Sequence, residues 1–216
     1  MRYFFPALLL LAVLGGCTTT EQAGTATRPP LAERAASCML CHSGKESQRG
    51  PILNGVDVWY LEAQLGKFKK GIRGHNPTNR TEQLMASTMD LILTKKDIKE
   101  LARYMHAQEA VLLPAIIKGD AEKGARIYGA HCVNCHGEGG EGKRILKSPP
   151  LVYFEDWYIY AQLQKFKSGR RGGHEDDKTG QTMAASVQAL SIEELRDVSV
   201  YIRQSLAPLK ISSESN

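Results

Sequence analysis

Apolar residues along the chain recur at helical spacing, and no stretch alternates convincingly enough to be a strand. Two segments carry the pattern most clearly: Ile98, Leu101, Ala102 and Met105 in one, and Leu195, Val198 and Ile202 in the other. Each is preceded by a capping box, Thr94-Lys95-Lys96-Asp97 and Ser191-Ile192-Glu193-Glu194. There the first side chain and the fourth satisfy each other's backbone N–H groups. Two further helices are predicted to start at Asp57 and Asp156 and to stop at Gly71 and Gly169, glycines suited to a C-terminal turn. Asp120 is a suitable N-cap for a helix running through Tyr128 to Cys132. Its counterpart near Leu31 to Cys38 has no such cap and reads as shorter. Pro208 ends the last helix. The expected fold is all-α.

The helices fall into two copies. Trp59-Tyr60-Leu61-Glu62-Ala63-Gln64-Leu65-Gly66-Lys67-Phe68-Lys69-Lys70-Gly71 matches the segment from Trp157 to Gly169, 98 residues on. Pro51-Ile52-Leu53 matches Pro149-Pro150-Leu151, and Gln83-Leu84-Met85-Ala86 matches Gln181-Thr182-Met183-Ala184. A repeat of this kind is one folding unit used twice. The predicted division is 31–113 for the first domain and 114–209 for the second, each of about three main helices, with a tail over 210–216.

The first sixteen residues differ in kind. Arg2 precedes the apolar run Phe4 to Leu14, which is too short to span a bilayer and reads as a signal peptide, 1–16. It ends in Leu14-Gly15-Gly16-Cys17, which resembles a bacterial lipobox, with Cys17 as the lipidated first residue of the mature chain. Residues 17–30 form a polar, Pro-terminated tether, expected to be flexible. The remaining composition, 42% hydrophobic and 24% charged, is that of a globular protein. The formal charge of +5 falls to +4 without Arg2, and nothing in it argues for nucleic acid binding.

The chemistry lies in Cys38-Met39-Leu40-Cys41-His42 and Cys132-Val133-Asn134-Cys135-His136. Each is C-x-x-C-H, the attachment signature of a c-type haem. Cysteines three apart on a helical turn face one way, so both sulfurs reach one porphyrin, and the next histidine turns its ring to the iron. The motifs predict two covalent haem c groups, held by Cys38, Cys41, Cys132 and Cys135, with His42 and His136 as iron ligands. A redox dithiol or half a zinc site is the competing use of a bare C-x-x-C. Of the five cysteines four belong to the motifs and the fifth is Cys17, so none remains for a disulfide or a catalytic thiol.

A second iron ligand is sought after each middle helix. Met183 is the methionine of the mature second copy, and Met85 aligns with it in the first, with Met89 an alternative one turn on. Methionine is more often a core residue, and its recurrence at equivalent points is what points to ligation. His75 and His174, in Gly- and charge-rich loops, are rivals misaligned by one residue and expected to be solvated. His106 and His131 are expected to pack or lie at the surface. A thioether raises the potential and fills the sixth site, leaving no small-molecule substrate position at the irons. Carbonyls at Pro51 and Pro149 are candidate acceptors for the ring N–H of each motif histidine.

With these residues assembled, the chain resembles the cytochrome c4 family, two class I cytochrome c domains in tandem. The resemblance spans Leu31 to about Leu206 and rests on both C-x-x-C-H motifs, the repeated Trp/Tyr…Gln-Leu…Phe-Lys…Gly…Arg helix, and the Met-to-Ser/Thr-capped final helix. It implies a periplasmic electron carrier, since haem c is attached outside the bacterial cytoplasm, with redox-protein partners: a bc1-type or dehydrogenase donor and an oxidase acceptor. An electron-accepting subunit of a dehydrogenase, or a dihaem peroxidase or thiosulfate-oxidising enzyme, are the alternatives. The first copy departs from the family in lacking the Gly119-Asp120 opening, and its Met85-to-Thr94 spacing is one residue longer than Met183-to-Ser191. The lipid anchor is a further departure, and Thr18 after Cys17 leaves an outer-membrane address open. The basic clusters Lys67, Lys69, Lys70, Arg73 and Lys165, Lys167, Arg170, Arg171 read as a solvated face, with docking to an acidic partner or anionic lipid as the alternative.

Overall fold

A computed structural model describes Met1 and residues 29–43, 50–91 and 94–207. The signal peptide, Cys17, most of the tether, Pro208 and the tail lie outside the described residues. The described residues form helices and turns without a strand. In the first half these are α1 (Leu31–His42), α2 (Val58–Lys69), α3 (Arg80–Ser87) and α4 (Lys95–His106). In the second they are α5 (Ala121–His131), the single turn α6 (Val133–His136), α7 (Asp156–Lys167), α8 (Lys178–Ser186) and α9 (Ile192–Tyr201), which runs on into a π-helical turn, Ile202–Leu206.

Local chemistry accounts for most of these bounds. Both capping boxes form, Thr94 with Asp97 and Ser191 with Glu194, and Asp120 accepts the Lys123 N–H at 2.9 Å. Helix α2 closes on Gly71 at φ 69°, with its N–H bonded to the Phe68 carbonyl and that of Ile72 to Lys67. Gly169 at φ 70° repeats the turn after α7. This left-handed position is one that glycine takes without steric cost.

Two elements differ from the sequence reading. Helix α1 is not the shorter one: its 12 residues run unbroken through the cysteine motif, whereas α5 ends at His131 and resumes as α6. Its Ala- and Leu-rich run contains neither Gly nor Pro, and that outweighs the missing cap. Each half also gains a short methionine-bearing helix, α3 and α8, which the apolar periodicity does not announce.

In the first half α4 packs on α1 and α2; in the second α9 packs on α5 and α7. Arg34 pins α1 to α4 through Asp97 at 2.8 Å and Glu100 at 2.9 Å. The connecting strap is held by Asp156, whose carboxylate accepts the N–H groups of Ile116 and Ile117 at 2.8 and 2.6 Å.

The halves meet along a polar seam with reciprocal contacts. Lys67 donates to Asp177 at 2.6 Å and to Thr179 at 2.7 Å. Lys165, 98 residues after Lys67, donates to Thr81, 98 residues before Thr179, at 2.7 Å. The basic clusters are therefore not a uniformly solvated face. Lys67, Arg73, Lys165 and Arg171 turn into the seam, where carboxylate, hydroxyl and amide oxygens of either repeat receive them. Lys69 and Lys167 turn back to the carbonyls of Met89 and Gln188.

Candidate functional site

The last turn of α1 carries Cys38, Cys41 and His42, and α6 with its preceding residue carries Cys132, Cys135 and His136. His136 is 6% exposed. The Nδ1 atoms of His42 and His136 lie 2.7 Å from the Pro51 carbonyl and 3.0 Å from the Pro149 carbonyl. A carbonyl only accepts, so Nδ1 carries the proton in each ring and Nε2 presents its lone pair, the form that binds a metal. Burial holds both imidazoles below their ordinary pKa, and the carbonyl bond opposes it only in part. Burial, with Cys135 beside it, also pushes the Cys132 thiol up to about 12. A reactive redox dithiol needs the opposite shift.

Cys132, Cys135 and His136 open into a cavity of about 290 Å³ whose lining also includes Met183 of α8. Its apolar part is formed by Leu163, Phe166 and Ile202, among others. At the seam it becomes polar, and Tyr60, Gln64 and Lys67 of the first half join Arg171 in the lining. Arg171 is 8% exposed, yet its guanidinium bonds to neutral acceptors: Gln162 at 2.7 Å, Gln64 at 3.1 Å and the Tyr60 hydroxyl at 3.4 Å. Among the described residues no carboxylate pairs with it. The Glu82 and Asp177 carboxylates feel its charge without pairing with it directly, so a direct counter-ion is left to an anion from outside the chain. An apolar slot with thiols and an imidazole within it and a cation at one end fits a haem, whose faces are apolar and whose propionates are anionic.

Met85 and Met183 occupy the same place, the sixth residue of α3 and of α8, and both are half-buried. Four residues on, Met89 and Val187 are each 3% exposed in the hydrophobic core. His75 and His174 stack edge to face with ring centroids 5.1 Å apart. His106 bonds through Nδ1 to the Val56 carbonyl at 3.2 Å. His131 lies at the cavity and is exposed. Sequence reasoning named Tyr60 and Gln64 only as repeat positions and Arg171 only as part of a basic cluster, and gave none of them, nor Gln162, a place at the site. Their signal was present, since Gln64 and Gln162, Arg73 and Arg171, and Tyr60 and Tyr158 are pairs 98 apart.

The cytochrome c family model matches residues 32–109 and again 121–205. The chain belongs to the cytochrome c family. This cytochrome is 31% identical over 195 residues to the thiosulfate dehydrogenase electron acceptor of Thiomonas intermedia, covering 80% of this chain and 82% of the relative. It is 29% identical to the cbb3-type cytochrome c oxidase subunit FixP of Bradyrhizobium diazoefficiens over 71% of this chain, and spans 57% of that longer protein. Its fold is that of tandem cytochrome c4: the Acidithiobacillus ferrooxidans cytochrome c4 structure superposes with a TM-score of 0.63 at 24% identity, over 78% of this chain and 98% of that one. Cytochrome c domains bind covalent haem, and dihaem electron transfer is the chemistry of this architecture.

Proposed function

We propose that the chain is a lipid-anchored, periplasmic one-electron carrier with a haem c in each of the domains 31–113 and 114–209. Cys38 and Cys41 would attach one group and Cys132 and Cys135 the other. His42 with Met85 and His136 with Met183 would hold the two irons. The observation that carries this reading, in the second domain, is the cavity lined by Cys132, Cys135, His136 and Met183 together with Arg171, whose hydrogen bonds go to neutral acceptors. Haem c supplies a reversible one-electron iron couple.

The chain's own residues set the conditions for that couple. The proline carbonyls orient both histidines and strengthen them as donors. Apolar walls exclude water, and His42, Met85, His136 and Met183, held by their helices, would keep reorganisation small by holding the irons alike in both oxidation states. Cys17 would anchor the mature chain through its acyl groups, with residues 18–30 as the leash. Donor and acceptor are read as a periplasmic dehydrogenase or bc1-type complex on one side and a terminal oxidase on the other. The thiosulfate dehydrogenase electron acceptor relative favours the dehydrogenase as donor.

A redox titration of the holoprotein followed by visible absorption tests the assignment. Two one-electron waves at clearly positive potential are expected. A strongly negative wave would mean that one iron has a histidine or an open site, and would return the peroxidase reading.

A further inference from the structure

We propose that the cationic outer stripe of α4, made by Lys95, Lys96, Lys99 and Arg103, rests on an anionic bilayer and holds the first domain against the membrane. The inference rests on the lipid-anchored reading and adds to it the face that the anchored chain turns to the lipid.

Successive residues of a helix are rotated by about 100° and rise by about 1.5 Å. The four cations therefore share one arc of about 100°, and Lys95 to Arg103 span about 12 Å along the axis. Ile98, Leu101, Ala102 and Met105 occupy a separate arc and pack on the core. All four cations are exposed, Lys96 with 77% of its side chain in water. The acids of α4 are already engaged. Asp97 and Glu100 receive Arg34 of α1 at 2.8 and 2.9 Å, and Lys96 stands 3.7 Å from Glu100. Among the described residues no carboxylate pairs with Lys95, Lys99 or Arg103. A row of cations this long meets several phosphates of a surface at once, where a pocket would hold a single anion.

The second domain has no such stripe. Counted from the capping residues Thr94 and Ser191, its matching positions are Ile192, Glu193, Arg196 and Val200. Glu193 lies 3.9 Å from Arg196, and Val200 is 1% exposed. There the segment entering α5 lies over α9. The Asp120 N–H donates to Asp197 at 3.0 Å, and a Cβ on Gly119 would meet Val200 at 3.1 Å. The first domain lacks that Gly-Asp opening, and Arg103 stands exposed where Val200 is covered.

What precedes α1 is the tether, and it arrives beside α4. Arg34, which holds Asp97 and Glu100, also donates through Nε to the Pro29 carbonyl at 3.2 Å. The 12 residues from Thr18 to Pro29 reach no more than about 40 Å from Cys17. An anchor that close keeps α4 at high effective concentration near the bilayer, so a weak contribution from each cation suffices. The tether is itself a poor cover for the stripe, since residues 18–28 carry one acid, Glu21, against Arg28. An acidic protein is the rival occupant, and the tether's arrival beside α4 favours lipid.

Two measurements on the holoprotein test this. The first uses the haem-loaded chain from Thr18, which has no anchor, in flotation with phosphatidylcholine vesicles that do or do not contain phosphatidylglycerol. This chain should bind the anionic vesicles at low salt, leave them as salt rises, and ignore the neutral ones. Lys99→Ala should weaken the binding about fivefold. Lys99→Glu with Arg103→Glu should abolish it. Lys118→Glu with Arg126→Glu, an equal change of charge at exposed sites outside α4, should leave most of it. The second measurement keeps Cys17 and follows lysine acetylation by mass spectrometry. On anionic vesicles Lys95, Lys96 and Lys99 should react several-fold more slowly than on neutral ones, with Lys118 unchanged. Equal losses from the two charge-matched pairs, or equal acetylation on both vesicles, would overturn the proposal. So would a stripe that binds an acidic plastocyanin and neither vesicle, which would give it to a protein. Failure of the chain with Cys17 to float on neutral vesicles would instead remove the anchor reading, and the anchor-free chain would still decide the role of α4.

Discussion

Arg73 and Glu82 form an ion pair 2.5 Å long in which the side chains are 5% and 4% exposed. They sit where the loop after α2 meets the start of α3, and the Lys165 ammonium of α7 comes within 3.8 Å of the same carboxylate. Glu82 therefore joins a methionine-bearing helix to its own loop and to the other domain. Glu82→Gln should destabilise the fold by about 3–5 kcal/mol, because it strands a buried guanidinium. Urea unfolding of the holoprotein reads this directly.

The same pair gives a pH dependence with a definite sign. Burial alone would raise the Glu82 pKa, but the charge and hydrogen bond of Arg73, with Arg171 and Lys165 behind them, hold it below the usual carboxylate value. A depressed folded-state pKa means that the unfolded chain takes the proton first. The contribution is complete above the ordinary value near 4.5 and is lost as pH falls through the lower folded one. Melting temperatures of the parent should fall on acidification below this point. The Glu82→Gln variant should show a shallower fall, and parallel curves would refute the assignment.

Ligation separates the methionines. Met85→Ala and Met183→Ala should each open one iron and lower that haem's potential, with the change visible in the absorption spectrum. Met89→Leu conserves volume in the core and should cost less than about 1.5 kcal/mol of stability while leaving both potentials in place. If Met89→Leu instead shifts a potential and Met85→Ala does not, the ligand of the first domain is Met89.

Much of this was legible in the sequence because it is local. A capping box, a C-terminal glycine and a C-x-x-C-H turn are complete within a few residues, and the structure has all three as read. The proline carbonyls could also be inferred, since repeat alignment put Pro51 and Pro149 at one place. What escaped depends on residues far away. Helices α3 and α8 have 8 and 9 residues, too short to reveal a period. Their capping residues serve the seam as well, Asp177 bonding Gly180 within α8 and Lys67 from 110 residues away. A run of lysines looks the same in sequence whether water or a distant carboxylate receives it. Only the fold shows Lys67 and Lys165 crossing to opposite repeats.

Arg171 should tune the second iron. A buried cation beside the site disfavours the extra positive charge of ferric iron, so Arg171→Gln should lower that potential. The expected change is on the order of 60 mV, one tenfold step in a one-electron equilibrium. The wave assigned to the first haem should move less. Equal shifts of both waves would mean that Arg171 acts on the seam as a whole.

Gly124 marks the closest approach between helices in the second domain. A Cβ placed there would lie 2.2 Å from the Asp197 carbonyl oxygen and 2.8 Å from the Tyr201 Cβ, both on α9. Backbone cannot rotate aside as a flexible side chain does, so α5 would have to lift from α9. Gly124→Ala gains helix propensity of about 1 kcal/mol. Overpacking typically costs about 1–3 kcal/mol and, with backbone as the obstacle, should prevail. The net effect expected is destabilisation, checked by thermal melting. Gly129, on the same helix with nothing within 4 Å of its added Cβ, is the control. Gly129→Ala should stabilise the domain, and a Gly124→Ala melt that matched it would show that the α5–α9 crossing is looser than described.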